Sequence, residues 1–433
     1  MASSGERVAV VVIHGMGNQF PMDTLRGFVD SIKPNNATLF SSPNRITDET
    51  ETRRLSFSTS TYDFYEYYWA HYIDEPGVGE ILKWAFNLLF RKKPSPALVK
   101  RIWIARIFIF ITLLIVAFLG YMGYNLFKEY INGILTATVF GAGFLLALRI
   151  IWSLVSNSVI GKINSSLGDV IKYTVPSPKN IAARDDIRKN GLLLIKNLHE
   201  LKNDNGKFRY RKIIVVSHSL GTVVAYDILT SLFAQYHRKY SNVPGAILQD
   251  DLAKLRAMYE NPVNANREYQ LQQAALYSEY KKLGNEWRVS NFITLGSPLT
   301  HAIMILAHSK VDFDRKKSQR EFPTSPPHLD KEDDHYAFEA TYKNIKGEEA
   351  KIMNLHHAAH FAETQWTNIY YYNDWIGGAL KDQFGPGILD IEVRAKNKWT
   401  ATIPMASHTK YWDSKETVSL DKLREIFNEI HKL

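Results

Sequence analysis

Three groups of residues, in four short stretches, together hold the residue types that perform nucleophilic acyl chemistry. The first is Val215-Val216-Ser217-His218-Ser219-Leu220-Gly221-Thr222, in which an apolar run breaks into small residues around one serine. A strand ending in such a turn, with a helix beginning at once, pushes the Ser219 hydroxyl clear of the sheet; small neighbours keep the bend from clashing. The second is His14-Gly15-Met16-Gly17, directly after another apolar run. Glycines there let backbone N–H groups face an oxygen that becomes negative during acyl transfer, with no Cβ in the way. The donors expected are the N–H of Met16 and that of Leu220, the residue after the serine. The third is the pair needed to activate a hydroxyl, a base and a carboxylate that holds the base's tautomer. His408, in Ala406-Ser407-His408-Thr409-Lys410-Tyr411-Trp412, is the expected base, and Asp374, closing Trp366-Thr367-Asn368-Ile369-Tyr370-Tyr371-Tyr372-Asn373-Asp374, the expected carboxylate.

Each assignment has a competitor. Ser219 would also suit a helix N-cap. The glycine pair would also suit an ordinary strand-to-helix turn, although neither G-x-x-x-x-G-K-[ST] nor G-x-G-x-x-G is present to make it a phosphate loop. His356, His357 and His360 form a second histidine cluster, and His356 and His360, four apart, would share a helix face as metal ligands. No H-E-x-x-H arrangement accompanies them, so no metal is expected. Asp382 follows a helix-like run and Asp390 lies inside a strand pattern, which ranks both below Asp374. His218, beside the serine, is expected to point away from it and to be structural.

The elements that must carry these residues read as alternating strands and helices. Residues 8–13, 213–216 and 292–295 are continuous β-branched or apolar runs, the pattern of strands buried on both faces of a parallel sheet. Residues 388–393 and 399–403 read as further strands. Residues 185–201 and 222–233 carry apolar positions at helical spacing, and strands alternating with helices imply an α/β sheet with covered faces. Residues 235–287 and 312–349 read as polar insertions, the second carrying Pro323, Pro326 and Pro327.

One segment departs from this pattern. Residues 107–127 carry no charge; after Lys128-Glu129, a second uncharged stretch runs over 130–148. A bilayer core needs roughly 20 apolar residues in a helix, so the two stretches with their short polar link read as a transmembrane hairpin. Arg91, Lys92, Lys93, Lys100, Arg101 and Arg106 gather at its entry, and by the positive-inside bias the rest of the chain is expected on the cytoplasmic side. The opening residues lack the long apolar core of a signal peptide, in keeping with that side. A lid, or a surface for self-association into a homo-oligomer, is the competing reading of these stretches. The organisation expected is therefore a core over 1–90 and 166–433 interrupted by a hairpin over 91–165. The net charge of +9 comes without a basic block interleaved with aromatics, which sets nucleic acid aside. With no cysteine in the chain, disulfides, thiol nucleophiles and cysteine-bound metal are excluded.

On these motifs the chain resembles the α/β-hydrolase superfamily, in particular bacterial lipase-like serine esterases. His14 to Gly17 is similar to their H-G-x-G motif, and Ser217 to Gly221 to their G-x-S-x-G, with Ser217 in place of the first glycine. Thr294-Leu295-Gly296-Ser297-Pro298-Leu299, the stretch to Asp374, and His408 fall where that family would place them, in the chain order Ser, Asp, His. The resemblance implies an α/β-hydrolase fold and acyl transfer through an acyl-enzyme on Ser219, with no metal or organic cofactor, and it implies no particular substrate. A carboxylic ester is the substrate expected of this chemistry, with phospholipid or another acylated lipid favoured by the hairpin. A thioesterase, amidase or peptidase would use the same residues, and a non-catalytic membrane scaffold would keep them without turnover.

Overall fold

The computed structural model describes residues 7–16, 20–34, 36–47, 50–73, 173–174, 178–241, 243, 249–260, 267–329, 336–344, 346–402, 406–413 and 415–432, with ten helical positions between 103 and 128. The chain divides into two units, residues 1–73 with 176–433, and residues 74–175.

In the first unit, an eight-stranded sheet is built in the order β10-β9-β6-β5-β1-β4-β3-β2. Its strands are β1 (Arg7–Ile13), β2 (Leu39–Pro43), β3 (Arg53–Phe57), β4 (Tyr62–Tyr67), β5 (Tyr210–His218), β6 (Val289–Leu295), β9 (Gln365–Tyr371) and β10 (Leu389–Val393). The six strands from β10 to β4 run parallel; β3 and β2 add an antiparallel edge. The expected mixed α/β architecture with a large, mostly parallel sheet is therefore present. The runs at 8–13, 213–216 and 292–295 are buried throughout, because both faces are covered. Helices α1 (Asp23–Ile32) and α7 (Val418–Lys432) close one face, where Phe28, Leu423 and Phe427 pack on Val10, Val12 and Ile214. Toward the other face lie α2 (Pro178–Glu200), α3 (Gly221–Tyr236) and α5 (Arg267–Lys282); Tyr226 of α3 meets Trp366 of β9, and Trp366 in turn meets Phe292 of β6.

Residues 235–287 hold α4 (Asp250–Glu260) and α5. The polar look of α5 has a specific cause. Gln270 donates to the Trp366 carbonyl at 3.1 Å and Gln273 to the Phe361 carbonyl at 2.6 Å, so buried glutamines tie the helix to the sheet. Residues 312–349 are likewise structured in part, by α6 (Lys310–Ser318) and by β7 (Ala337–Lys343), which pairs with β8 (Glu349–Leu355) in a separate hairpin. One strand expectation fails. Residues 399–402 of the strand expected over 399–403 are not a strand: Lys398–Thr402 is a short helical turn, and residue 403 lies outside the described residues. The alternating pattern there covers five residues, too few to distinguish the two periods.

In the second unit the described residues are helical, and Trp103, Ile107, Phe110, Ile111, Leu114, Phe118 and Tyr121 are each about half exposed. Among the described residues no helix is long and apolar enough to cross a membrane. The second half of the expected hairpin, residues 130–148, lies outside the described residues, as does Gly17.

Candidate active site

The strand register delivers the site. In the β1–β5 pair Ile13 lies opposite Ser217, so the residues that follow, His14 to Met16 and His218 to Leu220, emerge side by side. β6 and β9 end at the same level, with His218 opposite Leu295 and Leu295 opposite Ile369. From β1 the chain leaves toward β4, and from β5 toward β6, so the order reverses between the two central strands. Ligands of open α/β sheets bind at that reversal, beyond the carboxyl ends of the strands.

Ser219 occupies the turn between β5 and α3 with φ of 51°. A non-glycine residue in the left-handed region costs about 1 kcal/mol, and neighbouring bonds hold this one there. Its N–H donates to the Leu295 carbonyl at 3.0 Å, and its own carbonyl accepts from Thr222 N–H at 3.0 Å and from Thr222 Oγ1 at 2.7 Å. The N-cap alternative is not what forms. Leu220 is the cap residue, with no side chain bonding the helix end, and Ser219 Oγ faces His408.

His408 and Asp374 complete a hydrogen-bonded chain. Ser219 Oγ–H donates to His408 Nε2 at 2.8 Å, and His408 Nδ1–H donates to Asp374 Oδ2 at 2.8 Å. The tautomer is assigned from this network, since the carboxylate facing Nδ1 requires the proton there. Ser219, His408 and Asp374 are 1%, 6% and 0% exposed. Burial alone would push the Asp374 carboxyl up. The charge of His408 and hydrogen bonds from His408, the Gly377 N–H and Tyr411 outweigh burial and hold it below the usual range. Asp374 lies in the turn after β9, its N–H bonded to the Tyr371 carbonyl at 3.0 Å, as expected for the end of that strand. The rivals do other work: Asp390 accepts from the N–H groups of Leu380 and Lys381, both at 3.0 Å, and Asp382 sits in the turn that those groups open.

The glycines bring the two loops into contact. A Cβ on Gly15 would sit 2.8 Å from Ser219 Cβ, and one on Gly221 would sit 2.2 Å from the His14 carbonyl oxygen. His14 is buried and stacked on Trp69, with centroids 4.9 Å apart. Its Nε2 accepts from the Trp69 N–H at 3.0 Å, so the proton sits on Nδ1, which donates to the Gly15 carbonyl at 2.7 Å. Burial lowers its pKa to about 4, so the ring is neutral near pH 7. This bond orients the next peptide. In a trans peptide N–H and C=O point in opposite directions, so anchoring the Gly15 carbonyl on the ring leaves Met16 N–H directed away from it. Leu220, the other expected donor, begins α3, whose first-turn N–H groups and dipole favour negative charge. Glu66, at the end of β4, accepts from the N–H groups of Met22 and Leu25 and secures the far end of the loop.

Sequence reasoning missed two members of this neighbourhood, Tyr411 and Glu66, and the particular bond that the structural His218 makes. His218 does not simply point away: its Nε2–H donates to the carbonyl of His408 at 2.8 Å. Burial lowers its pKa to about 3 and keeps it neutral. Tyr411 and Glu66 also bond to the site or its loop, and no spacing rule marks either. The cluster of His356, His357 and His360 is remote from helical geometry. His356 follows β8 and accepts the Ala358 N–H at 3.1 Å, while His360 opens a 3-10 turn; among the described residues no three or more His, Asp or Glu side chains gather as metal ligands.

Comparison with known proteins finds no matching family model, no matching curated protein and no matching solved structure.

Proposed function

We propose that this protein is a membrane-anchored serine hydrolase of the α/β-hydrolase type that cleaves carboxylic esters, with lipids as the favoured substrates. The observation that carries the chemistry is the chain of two 2.8 Å bonds from Ser219 through His408 to Asp374, at the carboxyl ends of parallel strands. In this reading Ser219 Oγ gives its proton to His408 Nε2 and attacks the ester carbonyl carbon. Asp374 stabilises the imidazolium without taking its proton. The tetrahedral oxyanion is held by the N–H groups of Met16 and Leu220, each donor contributing about 10²–10³ in rate. His408 then protonates the leaving alkoxide, which departs as the alcohol, and water repeats the sequence on the acyl-enzyme to release the acid.

The location rests on the uncharged stretches at 107–127 and 130–148 and on the half-exposed apolar stripe from Trp103 to Tyr121. Six basic residues between 91 and 106 flank that stripe, the charge that anionic lipid headgroups attract. The catalytic unit then works on the cytoplasmic side, within reach of phospholipid.

Fluorophosphonate labelling of membranes from cells expressing wild type and Ser219→Ala tests the chemistry and the location together. Labelling of wild type alone, in the membrane fraction, is expected; absence of labelling in folded wild type would overturn the hydrolase reading. A panel of phospholipid vesicles, small soluble esters, thioesters and amides then tests the substrate. Turnover of soluble esters with none on vesicles would remove the lipid assignment.

A further inference from the structure

We propose that Tyr411 is a positioning residue of this site, whose hydroxyl fixes Asp374 and moderates the negative charge that Asp374 presents to His408. The inference rests on the hydrolase reading above and adds to it a group that touches no substrate. Tyr411 O–H donates to Asp374 Oδ2 at 2.8 Å, the same oxygen that accepts His408 Nδ1–H. The phenol cannot turn away, because its oxygen also accepts the Tyr371 N–H at 3.1 Å and the ring is 1% exposed. Burial, then the Asp374 charge, push its ionisation well above the ordinary value, so it remains a donor wherever the site operates. The other carboxylate oxygen, Oδ1, accepts the Ile376 N–H at 2.9 Å.

The surrounding backbone packs closely on this arrangement. Gly296, at φ of 56°, and Gly377 both press on the pair. A Cβ on Gly296 would lie 2.6 Å from the Tyr411 ring and 2.9 Å from Asp374 Oδ2; one on Gly377 would lie 2.9 Å from the same oxygen. The titratable groups facing the carboxylate are His408 and Tyr411. Behind them stand His218, packed on both rings, and Tyr371, whose hydroxyl pairs with Ser419.

The consequence follows from charge. A hydrogen bond to an oxyanion draws electron density from it. Without the Tyr411 hydroxyl, more of the carboxylate charge acts on the imidazole and favours its protonated form, which cannot accept the Ser219 proton. The variant Tyr411→Phe should therefore label with fluorophosphonate about tenfold more slowly at neutral pH. The acid limb of its pH–rate profile should move to higher pH. Tyr371→Phe is the control for a merely structural role. It removes a buried hydroxyl bond from the same cluster, to Ser419, and should lower thermal stability without moving the limb. Should Tyr411→Phe fold poorly, 3-fluorotyrosine placed at 411 keeps the packing and donates more strongly, and should move the limb to lower pH.

The outcomes separate the two claims. Labelling that survives Ser219→Ala, or is absent from wild type, overturns the hydrolase reading. Labelling confined to Ser219, with an acid limb unmoved by both substitutions at 411, overturns the role of Tyr411 alone.

Discussion

Replacing Gly221 by alanine tests whether the two halves of the site depend on direct backbone contact. The new Cβ would stand 2.2 Å from the His14 carbonyl oxygen and 2.7 Å from that of Ile13, both main-chain atoms at the end of β1. A carbon–oxygen contact of this kind settles near 3.3 Å, so the β1 loop or the elbow must retreat by about 1 Å. Neither retreats freely: β1 is hydrogen-bonded to strands on both sides, and the start of α3 is buried. Overpacking of this kind costs about 1–3 kcal/mol, lowering Tm by roughly 1–4 °C in a unit of this size. The same displacement moves Met16 relative to Ser219, and a 1 Å misplacement costs on the order of 10²-fold in rate. Thermal unfolding and the second-order rate of fluorophosphonate labelling would be measured side by side. Gly206→Ala is the comparison, since Gly206 has φ of 73° with no atom within 4 Å of its Cβ position. It should lose about 1 kcal/mol from backbone strain and keep its labelling rate. A Gly221→Ala protein that unfolds at the wild-type temperature and labels at the wild-type rate would refute the proposed contact between loop and elbow.

Three further outcomes follow from the same geometry. Asp374→Asn should fold and yet label about 10⁴-fold more slowly, because an amide cannot hold the Nδ1–H tautomer of His408; retained labelling would remove Asp374 from the site. Burial pushes the Glu363 carboxyl up to about 8, and neither of its oxygens has a hydrogen-bond partner among the described residues. The folded protein then keeps a proton that the unfolded chain sheds above about 4.5, so this group makes stability fall between about pH 4.5 and 8, at roughly 1.4 kcal/mol per unit. Urea unfolding of Glu363→Gln at pH 5 and pH 8 should show a smaller difference than wild type, and an equal difference would count against the shift. Asp63, at the opposite end of the sheet, accepts from Arg7 at 2.6 Å, from Arg209 at 3.3 Å and from Tyr210 at 2.8 Å. Burial raises its carboxyl, but Arg7, Tyr210 and Arg54 outweigh burial and hold it below its ordinary value, so its contribution is present at neutral pH and lost as pH falls. Asp63→Asn should cost on the order of 3 kcal/mol in denaturant unfolding at pH 7 while the labelling rate stays at the wild-type value; a large loss of rate would contradict the separation of the two ends.

The sequence by itself determined the central strands and the residues that end them. Continuous β-branched runs at 8–13 and 213–216 admit little besides strands buried on both faces, and the glycines after them mark where the chain turns. Ser219 and Asp374 were legible because each sits just beyond a strand end, and His408 because a histidine near the end of the chain completes the order Ser, Asp, His. Local pattern failed at 399–402, where a short alternation formed a helical turn, and it presented α5 as a polar insertion although Gln270 and Gln273 face carbonyls of the core.

What only the tertiary structure decided are the interactions between residues far apart in the chain. Glu66 reaches the N–H groups of Met22 and Leu25 because β4 lies beside β1. His218 bonds the carbonyl of His408, 190 positions away. Tyr411 is three residues from His408, yet its partner Asp374 arrives by way of β9. A strand or a turn is dictated by the few residues within it, whereas the partner of a buried donor depends on register and helix packing across the whole sheet.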